Sequence, residues 1–236
     1  MGPTKRLEIH NLGLAVEALD ADIVCLQEVR RFNHQEARQF SPTRLGPLSW
    51  PNVPQAEYLA PEGYEVAYRT NAVTRHGEHG NALLARWPIG DIGHHDVSDH
   101  RFEQRGLLHV PVHWRETEVH VVVVHLGLIH ASRVRQAERL AKLVAEQIPP
   151  RAPVVVAGDF NDWNEKLDSI LASVGLHRAG PGEQARVATY PSLIPVLALD
   201  RVYTRGLSCQ SVMVPRGSTW ARLSDHLPLV VELDLD

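Results

Sequence analysis

Cysteine is scarce in this sequence: Cys25 and Cys209 are the two present in 236 residues. Two are far too few for the disulfide framework that staples small secreted domains, so that class is excluded. Cys25 lies inside an apolar run, where a buried free thiol is the ordinary expectation. Long hydrophobic runs are missing as well, none approaching the roughly 18 apolar residues of a membrane span. The opening Met1-Gly2-Pro3-Thr4-Lys5-Arg6 lacks the apolar stretch of a signal peptide. A cytoplasmic location is the resulting expectation. There is no surplus of positive charge either: 24 Lys+Arg stand against 28 Asp+Glu, a net −4. That balance disfavours a general nucleic-acid binder, whose affinity rests on neutralising phosphates, although a basic rim can sit on an acidic protein. Internal repeats, low-complexity tracts and linkers are also missing. What remains is a chain with 44% apolar residues, enough for a real core in one domain spanning 1–236.

Residues 7–19 space Leu7, Leu12, Leu14, Ala15 and Leu19 as an amphipathic helix would. Ile23 to Leu26 is a short apolar run of the buried-strand kind. The polar stretch 31–63, with prolines at 42, 47, 51, 54 and 61, reads as a short helix followed by a long surface excursion. Strands are expected at 64–69 and 82–85, separated by the Gly/His/Asn segment 75–81, and again at 107–113 and 119–125. The clearest helix spans 132–148, with Val134, Ala137, Leu140, Ala141, Val144 and Ile148 on one face and Arg133 among the polar groups elsewhere. A buried strand at 153–157, a helix at 162–174 ended by Gly175, and strands at 202–204 and 227–233 complete the reading. Strands and helices are mixed without strict alternation, which favours two packed sheets with flanking helices over a doubly wound parallel sheet.

Four apolar strands end in acids, amides or histidine, the place where α/β proteins collect catalytic groups. In Ile23-Val24-Cys25-Leu26-Gln27-Glu28 a carboxylate follows a buried strand, which is costly unless it is paired or bound to metal. Val121 to Val124 leads into His125-Leu126-Gly127, where a satisfied core histidine is the ordinary alternative. Val154-Val155-Val156-Ala157-Gly158-Asp159-Phe160-Asn161-Asp162 offers one carboxylate and one amide after a glycine. Hard Mg²⁺ favours a few such oxygens plus its own waters, while a plain helix cap would use the same residue types. Ser224-Asp225-His226 sets an acid beside a titratable imidazole, a weak signal by itself.

In this order, LQE, HLGL, GDFN and SDH resemble the signatures of the endonuclease/exonuclease/phosphatase superfamily, and His79 to Ile89 is similar to its GNALLSRWPI-type segment. The resemblance runs from Leu7 to near the end of the chain. It implies a four-layered α/β sandwich, two packed mixed β-sheets flanked by helices, and divalent-metal-dependent hydrolysis of a phosphate ester. By resemblance, Glu28 and Asp225 hold Mg²⁺, with Mn²⁺ as the alternative. Asp159 matches the aspartate that activates or orients the attacking water, and Asn161 the neighbouring asparagine that positions phosphate or nucleophile. His226 matches the histidine on the scissile phosphate, Asp200 the aspartate paired with it, and His125 a histidine near the phosphate. Asn81 and Arg105 are candidates for substrate contact. Against a phosphoseryl or phosphocysteinyl route, Cys25 lies mid-strand and no Ser or Cys occupies a nucleophile turn.

The family's first core strand, ending in an Asn-containing segment, has no counterpart ahead of the first helix. The expectation is therefore a chain that starts late, with in-frame codons upstream encoding that strand. A relative so truncated would be the competing class, a non-catalytic phosphate-binding module. Family membership does not choose among DNA, RNA, a phospholipid headgroup or a small nucleotide as substrate. The apolar stretch Thr189 to Leu197 could face a lipid, with core packing the favoured reading. His94, His95, His100 and His109 match no zinc spacing and are expected at the surface.

Overall fold

The protein is described by a computed structural model, which covers residues 4–33, 53–75, 77–100, 102–163, 166–180 and 187–236. Two sheets face each other. The smaller has the order β1 (Ile23–Asn33), β3 (Gly77–Ala85), β2 (Glu65–Thr74), antiparallel throughout. The larger runs β4 (Gly93–Asp96), β5 (Gly106–Trp114), β6 (Thr117–His125), β7 (Val154–Asp159), β9 (Asp200–Arg205), β8 (His177–Arg178). Its β6–β7 pair is parallel and its other pairs are antiparallel. A further antiparallel pair, β10 (Leu207–Met213) with β11 (Val230–Leu235), closes the chain.

Alternation along β6 explains the architecture. Val119, Val121 and Val123 point to the smaller sheet and pack with Leu108, Val110, Leu83 and Ala67. Val122 and Val124 point the other way, against Ala137, Leu140 and Val144 of helix α3 (His130–Gln147). A strand buried on both faces reads as a continuous apolar run, which is why Val121 to Val124 is unbroken valine. On the far side of the smaller sheet, Ile9 and Val16 of α1 (Thr4–Leu19) and Leu59 of α2 (Gln55–Leu59) cover Val24 and Leu84. The layers are thus helix, sheet, sheet, helix: the four-layered sandwich expected from the motifs.

Several boundaries differ from the sequence reading. Strand β1 continues through Glu28 to Asn33, with register shifts between Leu26 and Val29 and between Arg30 and Phe32, so 31–33 is strand and not helix. Of the rest of the expected excursion, 34–52 lies outside the described residues, and 53–63 carries helix α2 (Gln55–Leu59). The 75–81 segment is largely strand, because β3 begins at Gly77. The helix expected over 162–174 shrinks to α4 (Asp168–Ala172), since the Asp162 carboxylate turns inward to accept from the Leu167 amide and from Arg201. Strands β4, β8 and β10 went unread, and His109 is buried at 8% exposure, bonded to His120 at 2.9 Å, where a surface position was expected. Among the described residues no helix is long and apolar enough to cross a membrane.

Candidate active site

Strand register assembles the site. His125 ends β6 opposite Asp159, which ends the parallel neighbour β7, and Asp159 in turn lies opposite Asp200, which begins β9. Three polar side chains from three strands therefore form one row at the rim of the larger sheet. The close approach of β6 and β7 requires Gly158: its φ is +144°, and a Cβ there would lie 2.0 Å from the Val124 carbonyl oxygen.

Past Asp159 the chain turns on its own side chain. The Asp159 carboxylate accepts the Asn161 backbone N–H at 2.8 Å, and the Asn161 amide donates to the Leu126 carbonyl at 2.9 Å. Asn161 adopts φ +49°, a left-handed conformation that asparagine tolerates better than most residues. Glu28, facing the row from β1, also has positive φ, +56°. Its exposed carboxylate lies 4.0 Å from His125 Nδ1, while His125 Nε2 is 3.6 Å from Asp159. Left-handed backbone at two non-glycine residues is local strain of the kind that collects at functional sites.

On the opposite flank, Asp200 Oδ2 accepts from Thr189 Oγ1 at 2.5 Å and pairs with His226 Nδ1 at 2.7 Å. The Tyr190 ring stacks on the imidazole with centroids 4.8 Å apart. This engages Nδ1 and leaves Nε2 as the remaining donor. Burial alone would lower the His226 pKa, but the Asp200 hydrogen bond and the charges of Asp200, Asp159 and Asp225 outweigh it and raise it to about 9. Burial, joined by the nearby Asp200 charge, raises Asp159 to about 6 against the opposing Asn161 N–H, His226 and Arg105. Burial, with the positive charges of Arg105, His226 and His79, pushes His125 down to about 3, so its imidazole is neutral.

The structure therefore gathers Glu28, His125, Asp159, Asn161, Asp200 and His226. Asp225 is exposed one residue before His226, and its charge acts on that ring. Arg105 is half-buried and donates to Glu103 at 3.2 Å, close enough for its charge to act on His125 and Asp159. Asn81 differs. It is fully enclosed and donates to the carbonyls of Gly106 and Val123, which ties the smaller sheet to the larger and withdraws the side chain from the open rim.

Several supporting residues escaped the sequence reading. Arg133, expected on the polar face of its helix, is buried and donates to the carbonyls of Gly127 and Leu128, while Gln136 accepts the Gly127 N–H at 2.8 Å. Together they hold the loop after His125. Arg201 and Asp162, immediately beside Asp200 and Asn161, form a buried ion pair at 2.8 Å. Charged residues adjoining GDFN and the Leu199-Asp200 step were the available signal. The loop holding Thr189 and Tyr190 was read as apolar packing, yet Leu193, Ile194 and Val196 are 79%, 73% and 68% exposed, which overturns that reading.

The donor set can be tested against a divalent cation. Among the described residues no group of three His, Cys, Asp or Glu side chains gathers tightly enough to hold an ion alone, which does not fit a closed zinc site. Glu28 and Asp225 are each exposed carboxylates, the donor type that a hard cation takes alongside most of its own waters.

The chain is thus an α/β sandwich with a carboxylate–imidazole row at the rim of its larger sheet. The sequence profile of the Endonuclease/Exonuclease/phosphatase family matches residues 4–226, and the chain belongs to that family. The chain is 39% identical over 236 aligned residues to an uncharacterised Escherichia coli K12 protein, YbhP, covering 98% of this chain and 90% of that one. Among solved structures, an endonuclease/exonuclease/phosphatase family protein from Leptotrichia buccalis superposes with a TM-score of 0.72 at 13% identity, covering 100% and 95% of the two chains. The human Nocturnin catalytic domain with bound sulfate superposes at 0.69 with 18% identity over 97% of this chain and 86% of its own. The corresponding protein from Beutenbergia cavernae gives 0.70 at 23% identity, with this chain spanning 97% of itself and 66% of that relative.

Proposed function

We propose that the protein is a divalent-metal-dependent phosphodiesterase that hydrolyses its substrate by in-line attack of an activated water. The observation that carries this reading is a buried carboxylate raised to about 6 on one side of the site and an imidazole raised to about 9 on the other. The first is poised to take a proton from water near neutral pH, and the second stays charged to meet an anionic phosphate. Glu28 and Asp225 would hold Mg²⁺, or Mn²⁺ in its place, and the ion would supply charge neutralisation at the phosphate oxygens. Asp159 orients the water, and Asn161, held by the Leu126 carbonyl, limits where that water and the phosphate can sit. His226 presents Nε2 to the phosphate while Asp200 and Thr189 hold its other nitrogen. Neutral His125 separates the Glu28 and Asp159 carboxylates and can accept or donate one hydrogen bond to the substrate. Arg105 adds positive charge at the rim.

The test is hydrolysis of bis(p-nitrophenyl) phosphate with and without Mg²⁺, by the wild type and by Asp159→Asn. Metal-dependent turnover that falls by at least about a hundredfold in the variant is expected, the usual scale for losing a general base. No turnover by the wild type, with phosphate binding retained, would favour the non-catalytic phosphate-binding alternative. Nicking of supercoiled plasmid separates a nuclease from a lipid or small-molecule phosphodiesterase.

A further inference from the structure

Among the described residues eleven large apolar side chains are exposed, and six of them stand on the three loops that leave the His125–Asp159–Asp200 row. Leu128 and Ile129, 61% and 53% exposed, follow His125, and Trp163, 47% exposed, follows Asn161. Leu193, Ile194 and Val196 precede Asp200. Register places all three loops at one end of the sheet. β6 and β7 are parallel and both end there, and antiparallel β9 begins there. Hydrogen bonds join the loops to one another and to the site: Asn161 to the Leu126 carbonyl, and the Ser192 N–H to the Asp225 carbonyl at 2.7 Å. Clustered exposed apolar side chains mark an interaction surface, in contrast to single scattered ones.

We propose that these loop tips seat the mouth of the site on a phospholipid bilayer, and that the phosphodiester cleaved there is that of a lipid headgroup. The second half rests on the phosphodiesterase reading above; the first does not. Three features favour a bilayer over other occupants. A second copy of the chain or a protein partner covering these tips would close the row to substrate, whereas a membrane delivers substrate through the covered face. Five of the six side chains are aliphatic, suited to the acyl boundary and poor platforms for stacked bases. Exposed Arg222 lies in the turn Trp220–Arg222, whose Ala221 carbonyl accepts from Ser192 at 3.2 Å, and exposed His130 directly follows Ile129. An arginine, a tryptophan and a histidine beside apolar tips match the headgroup layer and an anionic lipid surface. The net charge of −4 opposes long-range attraction to that surface, so apolar insertion supplies the larger part of binding.

The experiment is cosedimentation of the full chain with phosphatidylglycerol/phosphatidylethanolamine vesicles in EDTA, where no turnover occurs, for the wild type and Leu193→Ser/Ile194→Ser. The wild type should partition onto vesicles and stay bound in 0.5 M salt. The double variant should lose about tenfold or more in partition coefficient, since each residue gives up the transfer of a large aliphatic side chain. Its soluble bis(p-nitrophenyl) phosphate hydrolysis should not change. Leu128→Ser, on a separate loop, should reduce partition further, which makes the result independent of either loop's folding. Wild type left in the supernatant, or equal partition of all variants, would overturn the docking. Loss of single-stranded DNA binding, or of dimerisation, in the double variant with vesicle binding intact would overturn it in favour of those occupants. Vesicle binding without diester hydrolysis would instead remove the catalytic reading and leave the docking standing.

Discussion

The buried pair Arg201–Asp162 offers a sharp test of how the rim is held. Their side chains are 2% and 0% exposed, and Asp162 Oδ2 accepts from Arg201 Nη1 at 2.8 Å and from the Leu167 amide at 3.1 Å. Arg201 Nη2 also donates to the Asp162 carbonyl at 2.6 Å. Replacing Asp162 by Ala leaves the buried guanidinium with neutral acceptors and only the more distant, part-exposed Asp168 carboxylate at 3.8 Å, a defect of about 3–5 kcal/mol. The Leu167 N–H loses its acceptor as well, which adds on the order of 1 kcal/mol. Against a typical stability of about 5–15 kcal/mol, this is a large fraction. In a chain of this length it should lower Tm by about 8–24 °C. Urea denaturation of the wild type and Asp162→Ala measures the loss directly. The pair Asp162→Leu/Arg201→Met, which removes both charges together, should be destabilised less than Asp162→Ala alone. Burial opposes, but the Arg201 and Leu167 hydrogen bonds win, holding the Asp162 pKa below the usual carboxylate value. Its contribution is therefore present above that ordinary value, near 4, and is lost as pH falls through the lower folded one. A loss under about 1 kcal/mol for Asp162→Ala, or a double variant as unstable as the sum of the singles, would refute the reasoning.

Two further outcomes concern titration. Asp200→Asn keeps an acceptor for His226 and Thr189 but removes the charge that holds the ring near 9. If the ring returned to its ordinary 6.5, its charged fraction at pH 8 would fall from about 0.9 to about 0.03, so diester hydrolysis should drop about 30-fold there and recover toward pH 6. Superimposable pH–rate profiles for the two proteins would remove His226 from the chemistry. The stability that this ring contributes is present in full below 6.5 and is lost as pH rises through about 9, because its folded pKa is raised. His109 behaves in the opposite sense. Burial, with the His120 and His95 charges, lowers it to about 4, so the folded state binds fewer protons than the unfolded one between about 4 and 6.5. Acidifying from pH 7 to 4 should cost on the order of 2–3 kcal/mol through this group, and His109→Gln should flatten that part of the stability curve. An unchanged curve in His109→Gln would place the acid sensitivity elsewhere.

How much of this was legible depends on what each residue's neighbours do. The β6 valines and the α3 stripe were readable because burial on two faces or on one stripe leaves a periodic mark. The end-of-strand groups were readable through their order along the chain, which resembles the family's motifs, since each one alone had an ordinary alternative. Strand β4, Gly-His-His-Asp, left no mark: it is an edge strand without apolar alternation. The short α4 was misjudged because Asp162 serves the Arg201 pair, a partner 39 residues away that no local pattern reveals. Arg133 and Gln136 looked like solvated helix positions, and only the loop carbonyls and amide above them explain their burial. The apolar run at 193–196 could have been core or surface by composition alone, and its exposure is a tertiary fact.

The one parallel strand pair among the described residues ties these observations together. For His125 and Asp159 both to be the last residues of neighbouring strands, β6 and β7 must run in the same direction. A parallel pair cannot be joined by a tight turn and needs a crossover, which α3 supplies while covering the outer face of the sheet. The start of that crossover is the loop 126–129, which leaves the rim beside the His125–Asp159–Asp200 row. It is held there by Gln136 and Arg133 from the helix and by the Asn161 amide from the next loop. Leu126 is buried at 0% exposure while Leu128 and Ile129, two and three residues on, stand 61% and 53% exposed. The same connection that brings His125 and Asp159 together therefore also presents Leu128 and Ile129 outward beside them. The proposed chemistry and the proposed docking surface trace to this one connection, and a charge placed at Leu128 should weaken vesicle binding while leaving the row beneath it in place.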